Sequence, residues 1–339
     1  MYVLKGCKEQ CYLGKYLENW VWHKILGHLS FSQINKSNRL KAIHDLPNIT
    51  MLESTICKSF QFSKKTRVQF NAKEGSASKP LELIHTDLCG HVRKKSPCGH
   101  QYYIMFIDDF SRMCWIGLLK QKDEAFEKFQ IFKALVENEL DLKIKCLRYD
   151  QGGEYILDEL FDFCEQHGIK RQFFVASTPQ KNGVEERMNK TFQQMARAML
   201  DDSGTLDTFW GEATYTTVNI LNKAYVHVNS DKTPYELWYG NLPIVKNFRV
   251  FGSKCFIKNN DEKLGKFEPI ADEGIYLGYS YRSKAYKCYN KRIQKIVECI
   301  DVVIDEFVLS PKGEIQTTNE DDGDEYLPAS NRNDIDETQ

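Results

Sequence analysis

Leu147-Arg148-Tyr149-Asp150-Gln151-Gly152-Gly153-Glu154, answered downstream by Asn182-Gly183-Val184-Glu185-Glu186-Arg187 and a long amphipathic run, decides how the rest of the chain is read. Ile144, Cys146 and Leu147 mark a strand running into Asp150, and the Gly152-Gly153 pair turns the chain sharply after it. That puts the Asp150 carboxylate at the C-terminal mouth of a strand, where α/β folds gather ligands. Glu186 opens the helix. Met188, Phe192, Met195 and Met199 recur at helical spacing as a buried stripe, and Glu186, Lys190, Gln193 and Arg197 share another face.

An acid among cations on one helix face is ordinarily a solvated salt-bridge surface. Here the acid has company. Thirty-five residues separate Asp150 from Glu186, and Leu83-Ile84-His85-Thr86-Asp87-Leu88 sets a third acid, Asp87, inside an apolar strand. Three carboxylates converging on one point are hard oxygen ligands for divalent cations and suit in-line phosphoryl chemistry, whereas burying them together without a cation is costly.

The ordered series HTDLCG (85–90), FIDDFSR (106–112), LRYDQGGEY (147–155) and STPQKNGVEER (177–187) resembles the integrase region of copia-type long-terminal-repeat retrotransposon Pol polyproteins. The resemblance implies a ribonuclease H-like core with a D,D-35-E triad at Asp87, Asp150 and Glu186. It implies two Mg2+ or Mn2+ ions on those acids, element-end and target DNA as partners, and a homo-oligomer bridging two DNA ends. The loop before the catalytic helix approaches DNA in that family, which makes Gln180, Lys181 and Asn182 candidate contacts. Arg187, Lys190 and Arg197 join them, Lys190 most strongly because it follows Glu186 by one turn on the same face.

Pattern and resemblance together divide the chain into a small helical pre-integrase segment (1–62), a basic, turn-rich linker (63–79), the catalytic core (80–245), an SH3-like β-barrel (246–308) and an acidic tail (309–339). Within the core, strands over 81–88, 101–108 and 113–119 precede a helix over 123–140, a strand over 143–149, a helix over 157–167, a strand over 169–175 and the Glu186 helix. That order is an α/β (α+β) fold with a mixed five-stranded sheet. Helices follow over 207–224 and 234–239. Short β-rich runs begin at 248, 273, 285 and 295.

In the first segment Trp20–His28 reads as a helix carrying His23 and His28, with Cys57 downstream. The family bears a His-His-Cys-Cys zinc set at this place. This chain departs from it, because Cys57-Lys58-Ser59-Phe60 has phenylalanine where the second cysteine belongs. A tetrahedral site needs a fourth ligand from water, His44, Cys7 or Cys11; without one the helix packs with no metal.

Other acidic motifs carry less. Asp108-Asp109 lies at the end of a strand and reads as structural, Glu185 points about 100° away from Glu186, and Asp202-Ser203-Gly204 is a helix end with Gly as its cap. The eleven cysteines show no framework spacing, no apolar run approaches the roughly 18 residues of a membrane span, and Met1–Gln10 lacks the apolar centre of a signal peptide. These features predict reduced thiols in a soluble cytosolic or nuclear protein. The formal charge is −1, but residues 312–339 hold nine acids against two bases, leaving +6 on residues 1–311. That is compatible with a nucleic-acid substrate. The leading reading is metal-dependent DNA strand transfer, with endonuclease activity when water is the nucleophile. The rival is a catalytically silent DNA- or protein-binding module or polyprotein fragment, consistent with the broken zinc set and the lack of a following polymerase module.

Overall fold

The computed structural model describes residues 18–47, 49, 57–63, 77–150, 157–174, 183–226, 230–259, 269–280 and 283–309, and for 61–63, 150, 157–158, 173–174, 183–187 and 307–309 it describes the backbone. Helix α1 covers 18–25, α2 Phe31–Arg39 and α3 Lys58–Ser63. The core follows as β1 (Ile84–Gly90), β2 (Tyr102–Asp108), β3 (Cys114–Leu119), α4 (Ala125–Leu140), β4 (Cys146–Asp150), α5 (Leu157–Gln166), β5 (Lys170–Phe174), α6 (Gly183–Ser203), α7 (Trp210–Ala224) and α8 (Pro234–Tyr239). A second sheet comprises β6 (Ser253–Lys258), β7 (Ala271–Tyr279), β8 (Tyr286–Asn290), β9 (Lys295–Cys299) and β10 (Val302–Leu309). Among the described residues no helix is long and apolar enough to cross a membrane.

The core sheet has the order β3-β2-β1-β4-β5. Its first three strands form an antiparallel meander and β1-β4-β5 run parallel, the mixed five-stranded sheet of a ribonuclease H-like fold. Alternation along β2 separates two cores. Ile104 and Phe106 pack with Phe129, Phe132 and Leu160 of α4 and α5. Tyr103, Met105 and Ile107 face the opposite layer, where Phe192, Met195 and Met199 of α6 meet α7, the N-terminal helices and Ile275 and Leu277 of the second sheet.

A buried polar network fixes β1 against β2. Asp108 accepts the Leu81 amide (2.8 Å) on one oxygen and the amide and hydroxyl of Ser111 (2.8 and 2.6 Å) on the other. Asp109 accepts the Ala77 amide (2.7 Å) and His85 Nε2 (2.9 Å) and pairs with Arg112 at 3.1 Å. Burial by itself would raise the Asp109 pKa, but the His85 bond and the Arg112 charge outweigh it and hold the carboxyl below its usual range.

Several boundaries differ from those read in the sequence. The first helix stops at 25, because Gly27 (φ 58°) and His28 (φ 59°) turn left-handed and the His28 amide bonds back to the His23 carbonyl at 3.0 Å. Helix α6 starts at Gly183, so Glu186 lies within its first turn rather than opening it. Residues 248–252 precede the strand rather than belonging to it, ending in a turn in which Gly252 has φ 81° and the Ser253 amide bonds back to the Val250 carbonyl, and the last β run divides into β9 and β10, with β10 crossing to β6. The second sheet is antiparallel throughout, in the order β10-β6-β7-β8-β9.

Removing the Asp109 charge leaves Arg112 buried without its counter-ion. Asp109→Asn is expected to lower unfolding free energy by about 3–5 kcal/mol at pH 7. Because the folded pKa is depressed, the Asp109 contribution is present above the unfolded value near 4 and is lost as pH falls below it. Denaturant titrations at pH 7 and pH 3.5 should therefore show the gap between variant and wild type narrowing on acidification; a constant gap would refute this assignment.

Candidate active site and metal centre

The β1–β4 pairing sets Ile84, His85 and Thr86 opposite Leu147, Arg148 and Tyr149, so Asp87 and Asp150 are the next residues on two adjacent parallel strands. On the other side Asp87 is opposite Met105 of β2, whose side chain belongs to the layer that packs on α6. Asn189, one turn after Glu186, donates its side-chain amide to Asp87 Oδ2 in a short hydrogen bond. The three acids singled out in the sequence thus belong to elements that meet at the Asp87 carboxylate. For Asp150 and Glu186 that placement rests on the backbone.

The apolar stripe of α6 seats the helix on the sheet at this point. Phe192 and Met195 are fully buried against the sheet and α7, and a helix seated by large side chains cannot slide without opening cavities. Polar bonds set its register more finely. Gln193 donates to Tyr103 Oη (3.0 Å), and Arg197, exposed, reaches Gln193 Oε1 at 3.4 Å. Lys190 is half-buried on the same helix. Arg187 is placed by its backbone in the first turn of α6, and Gln180, Lys181 and Asn182 lie outside the described residues.

Asn189, Cys89 and Tyr103 were missed in the sequence. Asn189 had a signal, since i+3 from Glu186 is the same side of a helix; the other two became visible only through strand pairing. The Cys89 thiol donates to Asp87 Oδ2 at 3.4 Å. Burial, followed by the Asp87 charge, pushes its pKa up to about 12. Asp108 and Asp109 are engaged in the network behind β1, and Asp202 lies in the last turn of α6, before Gly204 (φ 64°).

At the other end of α6, His23, His28 and Cys57 come together, all buried, with one ligand-type atom from each lying within 4.8 Å of the other two. His28 reaches Cys57 because of the left-handed turn at Gly27. His28 Nδ1 is 3.4 Å from Cys57 Sγ, and His23 Nδ1 is 3.1 Å from the Leu29 carbonyl, where it donates. His23 Nε2 is buried with no hydrogen-bond partner among the described residues. Burial lowers both imidazole pKa values to about 3 and raises that of the Cys57 thiol. Two neutral imidazoles and a sulfur, with one lone pair unanswered, fit a borderline-soft ion such as zinc. His44 does not join them: it is exposed, pairs with Asp45 at 2.8 Å, and its strand-like bridge to Ile244 holds it at the surface. Cys7 and Cys11 lie outside the described residues.

Residues 77–179 match the family model for the integrase core domain, and residues 253–318 match that for the retroviral polymerase SH3-like domain. These matches define an integrase-type protein. Its relatives narrow the class. The Retrovirus-related Pol polyprotein from transposon TNT 1-94 of Nicotiana tabacum is 33% identical over 286 residues, covering 84% of this chain and 21% of that protein. The corresponding polyprotein from transposon RE2 of Arabidopsis thaliana is 30% identical over 272 residues, covering 79% and 18%. The chain is of the integrase region of copia-type retrotransposon Pol polyproteins, and it spans about a fifth of the length of these relatives. Among solved structures, the HTLV-2 integrase catalytic core domain in complex with magnesium matches with 21% identity and TM-score 0.37, over 48% of this chain and 98% of that one.

The Asp87 charge can be read through its neighbour. In chelator-treated protein Cys89 should alkylate at pH 8 far more slowly than exposed Cys98. Asp87→Asn should speed the Cys89 reaction several-fold while leaving Cys98 unchanged, as followed by peptide mass mapping. Equal Cys89 rates in the two proteins would show that Asp87 does not bear charge on that thiol.

Proposed function

We propose that the protein joins DNA strands by metal-dependent transesterification, with Asp87, Asp150 and Glu186 as the residues that hold two Mg2+ or Mn2+ ions. The observation that carries this reading is the Asn189 amide bound to Asp87, which brings the first turns of α6 to β1, one residue along from the last β1–β4 pair. Carboxylates of two parallel strands and one helix are a hard oxygen donor set, the kind that holds divalent cations of this class. Bound there, the ions would activate a 3′-hydroxyl as nucleophile and stabilise the departing 3′-oxygen of the target strand.

The chain's own groups orient and bind. Asn189 orients Asp87, and its anchorage depends on the α6 seat. Lys190, on the helix that carries Glu186, is placed to take a DNA phosphate, with Arg197 about 16 Å from Glu186 at 1.5 Å per residue as a more distant contact on the same strand or the next. Gln180, Lys181, Asn182 and Arg187 extend this surface in the proposal. The partners are the element's DNA ends and target DNA, and two ends call for a homo-oligomer. Water in place of the 3′-hydroxyl turns the same site into an endonuclease.

A strand-transfer assay with a blunt oligonucleotide matching the element terminus, in Mg2+ or Mn2+, tests this. Wild type should give joined products and Asp150→Asn none. Asn189→Ala should retain the fold, lose about 10–100-fold in rate and require more metal, as expected when a group orienting a ligand is removed. DNA affinity should fall with salt, with a shallower slope for Lys190→Ala. Folded, DNA-binding wild type that forms no joined or cleaved product would sink the enzymatic reading in favour of a silent DNA-binding module.

A further inference from the structure

Tyr103 interrupts an apolar row. Along β2 it shares a face with Met105 and Ile107, and its buried ring packs beside Phe192 of α6 and Trp210 of α7 at centroid distances of 5.6 and 6.3 Å. A phenylalanine would fill the same space, so packing does not account for the hydroxyl, and a buried hydroxyl needs partners. It has two. Gln193 Nε2 of α6 donates to it at 3.0 Å, and the Cys89 thiol, directly opposite Tyr103 in the β1–β2 register, is hydrogen-bonded to it. Cys89 in turn donates to Asp87 Oδ2 at 3.4 Å, the oxygen that also takes the Asn189 amide. At the outer end Arg197, exposed on α6, donates to Gln193 Oε1 at 3.4 Å.

The direction of this chain is fixed at both ends. A guanidinium can only donate, so Gln193 turns its oxygen to Arg197 and its amide N–H to Tyr103. The phenol oxygen is thereby an acceptor, and its own proton goes to the Cys89 sulfur. That leaves the S–H for Asp87, whose ionised carboxylate can only accept. The donors all point one way, from a surface cation to the candidate metal ligand, and in such a chain each bond polarises the next. We propose that Tyr103 is a further positioning residue of the Asp87 site, holding Cys89 in the orientation that presents its S–H to Asp87 and so fixing the carboxylate for a divalent ion. This rests on the reading of Asp87 as a metal ligand given above. The same hydroxyl ties α6 to β1 by way of β2, so one group keeps the helix that carries Glu186 in register with the strand that carries Asp87.

The test uses the full chain, stripped by chelator and titrated with Mn2+ while the free ion is followed by electron paramagnetic resonance; the uptake that Asp87→Asn abolishes belongs to this site. Cys89→Ala should weaken that uptake about tenfold. Tyr103→Phe, which keeps the ring and its packing, should weaken it about fivefold, the worth of one hydrogen bond. The double variant should bind no more weakly than Cys89→Ala alone, and Cys89→Ser, which retains a donor, should bind like wild type. A merely structural tyrosine would show neither the shared effect nor the rescue. The proposal is overturned if Tyr103→Phe binds like wild type, if the two losses multiply in the double variant, or if Cys89→Ser binds as poorly as Cys89→Ala. Folded wild type with no Mn2+ uptake beyond that of Asp87→Asn overturns the metal-ligand reading and this proposal with it, an outcome distinct from the other three.

Discussion

The seating of α6 is the constraint on which the rest of the molecule depends. Its stripe of Met188, Phe192, Met195 and Met199 is buried against the core sheet, α7 and the N-terminal helices together. A slip by one helical turn would carry every side chain on it about 5.4 Å along the axis. Asn189 would leave Asp87, Gln193 would leave Tyr103 and Asp202 would leave Lys24. Apolar packing sets the coarse position, at about 1.5–3 kcal/mol for each large side chain, and the hydrogen bonds to β1 and β2 select among nearby registers. Neither suffices alone: packing is weakly directional, and a single hydrogen bond is worth about 1 kcal/mol net.

The sheet meets this helix with an equally determined geometry. Asp108 and Asp109, which look catalytic as a pair, are consumed in fixing the turn after β2 to the chain entering β1. Leaving such groups unpaired in the interior would be expensive, so they are surrounded by amides, a histidine and an arginine. Two residues beyond His85 on the same strand comes Asp87. The strand that presents the candidate metal ligand is therefore aligned by acids that cannot themselves serve as ligands.

Much of this was legible in the sequence, and what was not has a physical reason. The β-meander, the helix following it and the parallel strands announce themselves by period, because each has one or two faces buried. The stripe on α6 was visible in the same way. Helix ends were less so: the stop at residue 25 comes from a left-handed pair at Gly27 and His28, and nothing in periodicity distinguishes a histidine continuing a helix from one closing it. His44 makes the same point: its ligand chemistry made it a candidate beside His23 and His28, yet the fold holds it at the surface against Asp45. Asn189 was readable by helical geometry, but Cys89 and Tyr103 needed the β1–β2 register.

The second sheet carries a final lesson in its glycines. Gly278 (φ 127°) lies so close to the Thr216 hydroxyl of α7 that a Cβ would collide with it, and Gly252 (φ 81°) is similarly placed against Ser203 at the end of α6. Around these contacts Thr216 donates to the Leu277 carbonyl at 3.3 Å and Lys287 pairs with Glu212 at 3.1 Å. The second sheet is thus joined to α6 and α7 along a seam where backbone touches side chain and no methyl group fits. An SH3-like unit grafted onto this core in place of the present one would therefore have to bring glycines to the same two points.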